Sequence, residues 1–293
     1  MSYDLIGGVG VGIVGQTPPG LQNDISPDYL LRYFPYKGGD DTLVYDLSGK
    51  GRHAKINGSV SVNGRTITST LTQATAWGAP AGLTTGATAG QVGLLDPSFL
   101  SNWRPDQGDA LFVFARVFIP SIPATGSTKA MFGAMGRDAA TNNNGFRFAI
   151  ACDDNAYPRS ILFVSYDGAG GSRFSGNSTA TVTSGVENTL AWYIDPTIMR
   201  VTQWVNGIKS LGSASGFYAR NFLDDILTKS TTAQTPAFGL NTASYDLGIG
   251  VPGLVVKQLD VVATRSRPIA NPDACESKLR ALPGMYLTSK DML

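Results

Sequence analysis

Few residues in this sequence combine the types and the spacing that catalysis requires. Glu187 and Glu276 are the only glutamates, and no Glu-x-Asp-x-Glu strand motif exists to hold two carboxyls about 5 Å apart for glycoside hydrolysis. His53 is the only histidine, and no Gly-x-Ser-x-Gly elbow offers it a serine partner. These features predict that the protein is not an enzyme.

A loop with three consecutive oxygen-bearing side chains is the candidate metal site. Asp153, Asp154 and Asn155 separate two apolar runs, and calcium binds about six to eight oxygen ligands of this kind. The alternative is an acidic turn, because sequential side chains diverge and no fixed ligand spacing follows them. The acidic turn is the favoured interpretation, so no cofactor is predicted; calcium at this loop is the one possibility kept beside it, and the metal content stays open.

Aromatic residues in predicted loops are candidates for stacking on sugar rings. They are Trp77, Trp103, Tyr157 and Tyr218. The first three, together with the acidic loop, form the predicted ligand-binding set. The alternative for each is ordinary packing, since tryptophan is mostly buried in folded proteins. The segment Asn142–Gly145 is interpreted first as a turn and second as a loop that contacts sugar.

Secondary structure must position these loops, and it is predicted most clearly from Leu190 to Ser210. Two apolar, aromatic-rich runs meet at Asp195-Pro196, and the second ends at Asn206-Gly207, a pair that tolerates the positive φ angles of a tight hairpin. Apolar residues occupy both faces of each run, which is typical of strands in a sheet covered on at least one side. The segment therefore predicts two strands, each followed by a turn.

Further strands and short helices are predicted from the same kind of pattern. In residues 110–120, aliphatic residues at odd positions alternate with phenylalanines at 112, 114 and 118, which predicts a strand with two apolar faces. Other predicted strands are Phe146–Ala151, Ile161–Tyr166, Ala237–Ile249 and Leu254–Thr264. Short helices are predicted at Asp96–Trp103, at Asn221–Lys229 (or a surface loop there) and after Asn271. The fold class predicted is an all-β antiparallel sandwich with a few short helices.

The last of these helices has clear start and stop signals. Asn271 can cap its amino end, Pro272 suits its first position, and Pro283-Gly284 stops it. Cys275, Leu279 and Leu282 fall on one face of the helix. This face is predicted to dock on the sandwich.

A compact turn follows the first predicted strands. Its sequence is Asp46-Leu47-Ser48-Gly49-Lys50-Gly51-Arg52-His53. Asp46 and Ser48 can bond backbone amides, while Gly49 and Gly51 can take positive φ angles. Because His53 has no histidine or cysteine partner nearby, it is predicted to border this turn rather than to bind a metal.

With the preceding Phe34-Pro35-Tyr36-Lys37-Gly38, this turn resembles the opening of laminin-G-like, concanavalin A-like jelly-roll domains that are common in phage and bacterial surface proteins. The order and spacing of the later elements extend the resemblance over about Tyr29 to Pro283. The resemblance implies an antiparallel jelly-roll sandwich. It also implies rim loops that bind glycans or proteins, sometimes through calcium.

The ends of the chain are predicted to serve assembly. Glycines recur among valines and isoleucines between Gly7 and Gly15, and such an arm is flexible unless it packs on something. The predicted organisation is an extended anchoring arm at 1–28, a sandwich at 29–283 and a tail at 284–293. The arm is predicted to anchor the subunit to other virion proteins, in a homo-oligomer.

Composition narrows the classes of partner and the cellular location. The formal net charge is +1 and charged residues make up 15% of the chain, so neither nucleic acid nor an acidic membrane is an expected partner. No stretch reaches the ~20 apolar residues that span a bilayer, and Met1–Gly20 lacks the basic start of a signal peptide. Cys152 and Cys275 are predicted to be buried free thiols.

Two functions are consistent with these features, and a phage virion component is the one they favour. Such a protein is assembled in the host cytoplasm as a head-decoration, fibre or tail-associated subunit, with host or surface adhesion as a secondary role. Its position on the particle, its symmetry and its ligand are not readable from the sequence. The alternative is a free-standing bacterial glycan-binding module.

Overall fold

The computed structural model is an antiparallel β-sandwich with short helices, which confirms the predicted fold class. The structure describes residues 25–35, 43–62, 65–71, 82–85, 93–94, 96–138, 142–152, 160–167, 172–213, 237–238, 251 and 253–293. Within these ranges, no helix is both long enough and apolar enough to cross a membrane.

The strands are short in the first third of the chain and longer from residue 111 onward. In chain order they are β1 (Tyr29–Tyr33), β2 (Leu43–Val44), β3 (Ala54–Lys55), β4 (Asn57–Val62), β5 (Arg65–Thr70), β6 (Leu83–Thr84), β7 (Gly93–Leu94), β8 (Leu111–Phe118), β9 (Ser127–Asp138), β10 (Asn142–Cys152), β11 (Ser160–Asp167), β12 (Ser172–Thr181), β13 (Glu187–Asp195), β14 (Arg200–Val205), β15 (Ile208–Ser213), β16 (Ala237–Phe238) and β17 (Val255–Ala263). The helices are a 3₁₀ helix at Pro97–Asn102, a 3₁₀ turn at Pro105–Gln107 and the α-helix α1 at Pro272–Ala281.

The strands form two large sheets and one separate hairpin. The first sheet has the order β1-β17-β8-β13-β14-β15, and β6 also pairs with β17. The second sheet has the order β12-β11-β10-β9-β16-β7-β3-β2, and β4 pairs only with β5. In the first sheet the neighbours β1, β17, β8 and β13 are distant from one another in the sequence, whereas β13, β14 and β15 follow one another. The first four of these strands are therefore held together by non-local pairing.

The predicted central hairpins are confirmed. β13 and β14 pair antiparallel from Leu190 opposite Val205 to Asp195 opposite Arg200. At the following turn Asn206 has φ 51° and Gly207 has φ 82°, and two consecutive positive angles define the tight hairpin turn that matches strand twist. The local sequence therefore determines where β14 ends and β15 begins.

The main core lies between the two sheets. In β8 the odd positions from Leu111 to Val117 point into it, as predicted, and Phe112 and Phe114 point to the opposite side of the sheet. Trp192 of β13 is 1% exposed and packs edge-on against Phe148 of β10, with ring centroids 4.9 Å apart. Aromatic contacts of this kind join the sheets across the core.

A second core covers the outer face of the first sheet. It is built from α1, the tail and outward-facing aromatic residues, and it includes Phe112, Phe114, Tyr193, Cys275, Leu279, Leu287 and Met292. The Asn271 side chain caps α1 by accepting from the Ala274 amide at 3.0 Å, and Pro272 occupies the first turn, as predicted. β1, β17, β8 and β13 of the first sheet are therefore buried on both faces.

Two local predictions are wrong. Asn142–Gly145 is not a turn, because it forms the start of β10, where Asn142 pairs with Asp138 of β9. Leu282 is not on the buried face of α1, because the helix ends at Ala281 and Leu282 is extended, with φ −141°, and 61% exposed. Glu276 is buried on α1 instead.

Several predicted features lie outside the described residues. They are the arm up to residue 24, the helix or loop at 221–229 and residues 239–249 of the strand predicted at Ala237–Ile249. Ile25 and Ser26, which follow the arm, pair with the tail through Thr288 and the Leu287 carbonyl. The division into arm, sandwich and tail stays a prediction.

A buried ion pair joins the first sheet to the tail. Arg32 Nη1 lies 2.7 Å from Asp260 Oδ1, and the two side chains are 5% and 0% exposed. Arg32 also donates to the Gly284 and Met285 carbonyls, while Gln258 donates to the other Asp260 oxygen. Burial raises the pKa of the Asp260 carboxyl, and the adjacent guanidinium opposes that rise. Each charge depends on the other, because neither has access to water.

We expect Asp260→Asn to lower the free energy of unfolding by about 3–5 kcal/mol, since it leaves the Arg32 charge buried without a counter-charge. Asp273→Asn is the matched control, because Asp273 pairs with Lys209 at 2.6 Å while both side chains stay about half exposed, and such pairs contribute at most about 1 kcal/mol. An asparagine keeps an oxygen that can accept from Trp204 Nε1, as Asp273 Oδ1 does at 3.0 Å. Urea denaturation of both variants measures the difference. Equal losses would show that the Arg32 pair is not the tighter connection.

Candidate functional site

The candidate site lies on the outer face of the second sheet. Among the described residues, α1 and the tail pack on the first sheet, in a core with no member from β9–β12. The outer face of the second sheet carries a partly exposed arginine on β10.

Arg147 lies on this outer face, on β10 between β9 and β11. Its neighbours Phe146 and Phe148 belong to the core between the sheets, so strand alternation puts Arg147 on the opposite side. The residue is partly exposed. It pairs with Gly133 on β9 and Val164 on β11, which means that its backbone is held from both sides.

Small residues flank Arg147 on β9 and β10. Gly133 lies opposite it, and Ala149, the next residue of β10 on this face, is buried. Arg147 is the only charged residue of β10. An arginine donates two parallel hydrogen bonds to a carboxylate, so the chemistry that this face supports is recognition of an anion.

Gly133 is required where β9 and β10 approach each other beside Arg147. A Cβ atom at this position would lie 2.6 Å from the Phe146 carbonyl oxygen and 2.9 Å from the Arg147 Cα. The register between the two strands also shifts next to this point, between Phe148 and Ala149. Any side chain at 133 must therefore displace the strand that carries Arg147.

We expect Gly133→Ala to destabilise the protein by about 1–3 kcal/mol, the usual cost of inserting a group into a closely packed site. The cause is backbone displacement of β10, because the nearest atoms are main-chain atoms that have no rotamer to change. Urea denaturation measures the loss. An unchanged midpoint would show that the strands are farther apart than this geometry requires.

The turn after β2 is organised around the Asp46 carboxylate. Oδ1 accepts from the backbone amides of Arg32 and Ser48, both at 3.0 Å. Oδ2 accepts from the Ser48 hydroxyl at 2.8 Å and from the Arg52 amide at 3.0 Å. All four bonds come from the protein itself, so this carboxylate ties the turn to β1.

His53 and two glycines complete this turn. The His53 Nδ1 atom accepts from the Asp46 amide at 3.0 Å, and its ring packs edge-on against Tyr45 with centroids 5.2 Å apart. Gly49 has φ 81° and Gly51 has φ 70°, angles that are open to glycine but costly for other residues. The structure places His53 beside the turn, with one ring nitrogen engaged by the backbone.

Among the aromatic residues predicted to bind a ligand, Trp103 lies within the described residues and requires a correction. It is 1% exposed, and its Nε1 atom donates to the Asp109 carbonyl at 3.2 Å. Its ring packs edge-on against Phe146 at 5.5 Å. Trp103 is a core residue, because the chain after the 3₁₀ helix directs the ring between the sheets, so it cannot stack on a sugar.

The remaining members of the predicted ligand-binding set lie outside the described residues. They are Trp77, Asp153, Asp154, Asn155 and Tyr157, and Tyr218 lies outside as well. The calcium site predicted at the acidic loop therefore stays a prediction. Within the described ranges, no group of three or more His, Cys, Asp or Glu side chains is placed to hold a metal ion.

Cys152 and Cys275 are both free and buried, as predicted. Burial raises the pKa of the Cys275 thiol to about 12, and the nearby Asp291 charge adds to the rise. The thiol is therefore protonated at neutral pH, and a protonated thiol is a poor nucleophile. Cys275 contributes packing to the second core rather than chemistry.

Glu187 bridges two cations at one end of the first sheet. Its oxygens lie 2.7 Å from Arg116 Nη1 and 2.7 Å from Lys257 Nζ. Arg116 also donates to the Leu279 and Arg280 carbonyls at the end of α1. Burial by itself raises the pKa of Glu187, but the hydrogen bonds from Lys257 and Arg116 outweigh it, and the net pKa is lowered. Glu187 is thus ionised and cannot serve as a proton donor near neutral pH.

The lowered pKa of Glu187 has a defined consequence for stability. Its contribution is fully present above the ordinary carboxyl pKa of 4.5 and is lost as the pH falls through the lower folded-state value. We expect Glu187→Gln to be less stable than the unmodified protein by about 1 kcal/mol at pH 7, with the difference shrinking below pH ~4.5. Urea denaturation across a pH series measures this. A difference independent of pH would contradict the ion-pair assignment.

Arg147 is the position that sequence reasoning missed. The sequence indicates an outward-facing charge here, because Phe-Arg-Phe at 146–148 alternates two apolar residues with one charged residue, as in a strand with one buried face. The prediction concentrated on loops instead. Which side of the sandwich Arg147 occupies became apparent only from the sheet topology.

Comparison with known proteins finds similarity at the level of structure only. No protein-family model matches the sequence, and no curated protein matches it. Among solved structures, a Trypanosoma rangeli sialidase in complex with sialic acid is 11% identical, with 91% of this chain and 34% of that chain covered and a TM-score of 0.49. A Ruminococcus gnavus IT-sialidase CBM40 bound to α2,3-sialyllactose is 15% identical, with 61% and 85% covered and a TM-score of 0.40. The chain spans about a third of the length of the T. rangeli sialidase.

The prediction that the protein is not an enzyme is corrected: structures of sialidases are among those similar to this chain, and this similarity extends to the fold only, so the enzyme status is open. Sialidases use a tyrosine nucleophile, which neither a pair of carboxylates nor a serine–histidine arrangement reveals. The missing motifs therefore do not exclude catalysis.

Proposed function

We propose that this chain is a glycan-binding module that takes an acidic sugar on the outer face of its second sheet, at Arg147. The observation that carries the proposal is a partly exposed arginine on a strand that is paired on both sides. α1 and the tail pack on the first sheet, while Arg147 stands partly exposed on the second.

The chemistry of Arg147 supports the choice of an acidic sugar. A guanidinium remains charged at all physiological pH values and presents a planar set of donors that matches a carboxylate. The pairing of its strand on both sides, with Gly133 opposite, fixes the backbone from which it projects. A binding group on a paired strand is held more accurately than one on a loop.

The first ligand to test is sialyllactose, the sugar in the structures of the R. gnavus CBM40. It carries a carboxylate, and lactose is the matched uncharged ligand. Binding of both sugars to the full chain is measured by calorimetry. The proposal requires sialyllactose to bind more tightly than lactose, and equal affinities would overturn it. Release of free sialic acid is followed in the same samples, since binding and cleavage are then distinguished directly.

We expect Arg147→Ala to weaken sialyllactose binding by about 10-fold to 100-fold, the loss that accompanies removal of a charged hydrogen bond. Arg147→Lys keeps the charge but not the planar pair of donors, so its affinity should be intermediate. Arg200→Ala is the control, because this exposed arginine begins β14 of the first sheet. Loss of binding in the control, or none in Arg147→Ala, would place the ligand elsewhere.

The virion role predicted from the sequence stays a prediction, because it rests on the arm, which is described only from residue 25 onward. A glycan-binding sandwich carried on a phage particle would serve host attachment, so the two functions are compatible. Anchoring to other virion proteins, homo-oligomer formation, assembly in the host cytoplasm and the laminin-G-like family likewise stay predictions.

A further inference from the structure

Three buried polar atoms stand out in the core between the sheets. Trp192 Nε1, Gln203 Nε2 and Gln203 Oε1 have no hydrogen-bond partner within the protein, although the two residues are 1% and 0% exposed. Buried polar side chains in folded proteins nearly always have a partner, either protein or ordered water. A tight group of three such atoms therefore indicates a specific occupant.

The backbone brings these atoms together. Trp192 of β13 and Gln203 of β14 are directly opposite each other in the first sheet. Gln203 alternates with Trp204, which belongs to the second core, so Gln203 points into the core between the sheets, as Trp192 does. The amide and the indole share one side of the sheet at neighbouring positions.

A polar row continues from this pair to the edge of the sandwich. Ser210 of β15 lies opposite Gln203, and its hydroxyl accepts from the Thr179 amide at 3.0 Å and contacts the Thr179 hydroxyl at 3.0 Å. Thr179 belongs to β12 and is exposed. These four residues, Trp192, Gln203, Ser210 and Thr179, form a polar row. It runs from the indole of Trp192 to the solvent at the seam, which is the contact between β12 and β15 at Thr179 and Ser210.

The neighbouring cavity does not provide the missing partners. It has a volume of about 20 Å³, borders Trp192 and is otherwise lined by apolar residues such as Val113, Phe132 and Leu259. Apolar cavities stay dry, whereas water occupies buried sites that offer two or more polar partners. In the polar row, Trp192, Gln203 and Ser210 offer the polar partners that such a site needs.

We propose that a short chain of internal waters binds along this row. One water accepts from the Trp192 indole N–H and donates to Gln203 Oε1, and a second accepts from the Gln203 amide group on the side of Ser210. The waters complete the hydrogen bonding of a core that would otherwise hold uncompensated polar atoms. Their exchange with solvent requires opening of the β12–β15 seam, so they reside longer than surface waters.

Water–protein cross-relaxation measured by NMR on the full chain tests this directly. We expect a dipolar cross peak between water and the indole N–H proton of Trp192, with the signal assigned by its loss in Trp192→Phe. Trp103 is the internal control, because it is equally buried and its Nε1 atom donates to the Asp109 carbonyl. Its indole proton should show no such peak.

Gln203→Met, which removes the amide at similar volume, should abolish the cross peak at Trp192. Absence of the peak in the unmodified protein would overturn the proposal, and so would its persistence in Gln203→Met. If Gln203→Met does not fold, the contrast between Trp192 and Trp103 in the unmodified protein decides by itself. The outcome is independent of glycan binding, because the row faces the core and Arg147 faces outward.

Discussion

Burial of β1, β17, β8 and β13 of the first sheet on both faces is the constraint on which the rest of the structure depends. Every residue of β17, and of β8 from Leu111 to Val117, is buried. The second sheet covers one face, while α1 and the tail cover the other. Strands in this situation must be apolar on both sides, and any polar group they carry must find its partner inside the protein.

Two arginines of this sheet, Arg32 and Arg116, donate hydrogen bonds to the tail and to α1. Arg32 and Asp260 neutralise each other, and Arg32 also donates hydrogen bonds to two carbonyls of the tail. Arg116 similarly reaches the last carbonyls of α1 while pairing with Glu187. The charges that would be costly in a buried sheet therefore specify where α1 and the tail attach, which is a documented use of buried ion pairs.

The second sheet is not subject to the same constraint, and this difference locates the functional proposal. Arg147 is partly exposed on this sheet, whereas Arg32 and Arg116 of the first sheet are buried. The proposed water row lies on the inner side of the opposite sheet. A recognition surface and a hydrated seam are thus separated by the core, and each can be altered without the other.

The sequence by itself determined the features that depend on neighbouring residues. The β13–β14 strands, the Asn206-Gly207 turn and the two faces of β8 follow from φ preferences and alternation, which act over a few residues. The cap of α1 at Asn271 follows for the same reason. Only the tertiary structure decided how β1, β17, β8 and β13 are ordered in the first sheet, because these pairing partners are distant in the chain.

The misplaced predictions have the same origin. Trp103 was predicted to be exposed to ligand, but it is buried in the core. Arg147 was not predicted as a site residue. In both cases the exposure of the side chain depends on which distant element packs against it. The Arg32–Asp260 pair joins residues 228 positions apart, a separation at which local sequence carries no information about contact. Local pattern therefore predicted the strands, while long-range packing decided which residues are available for function.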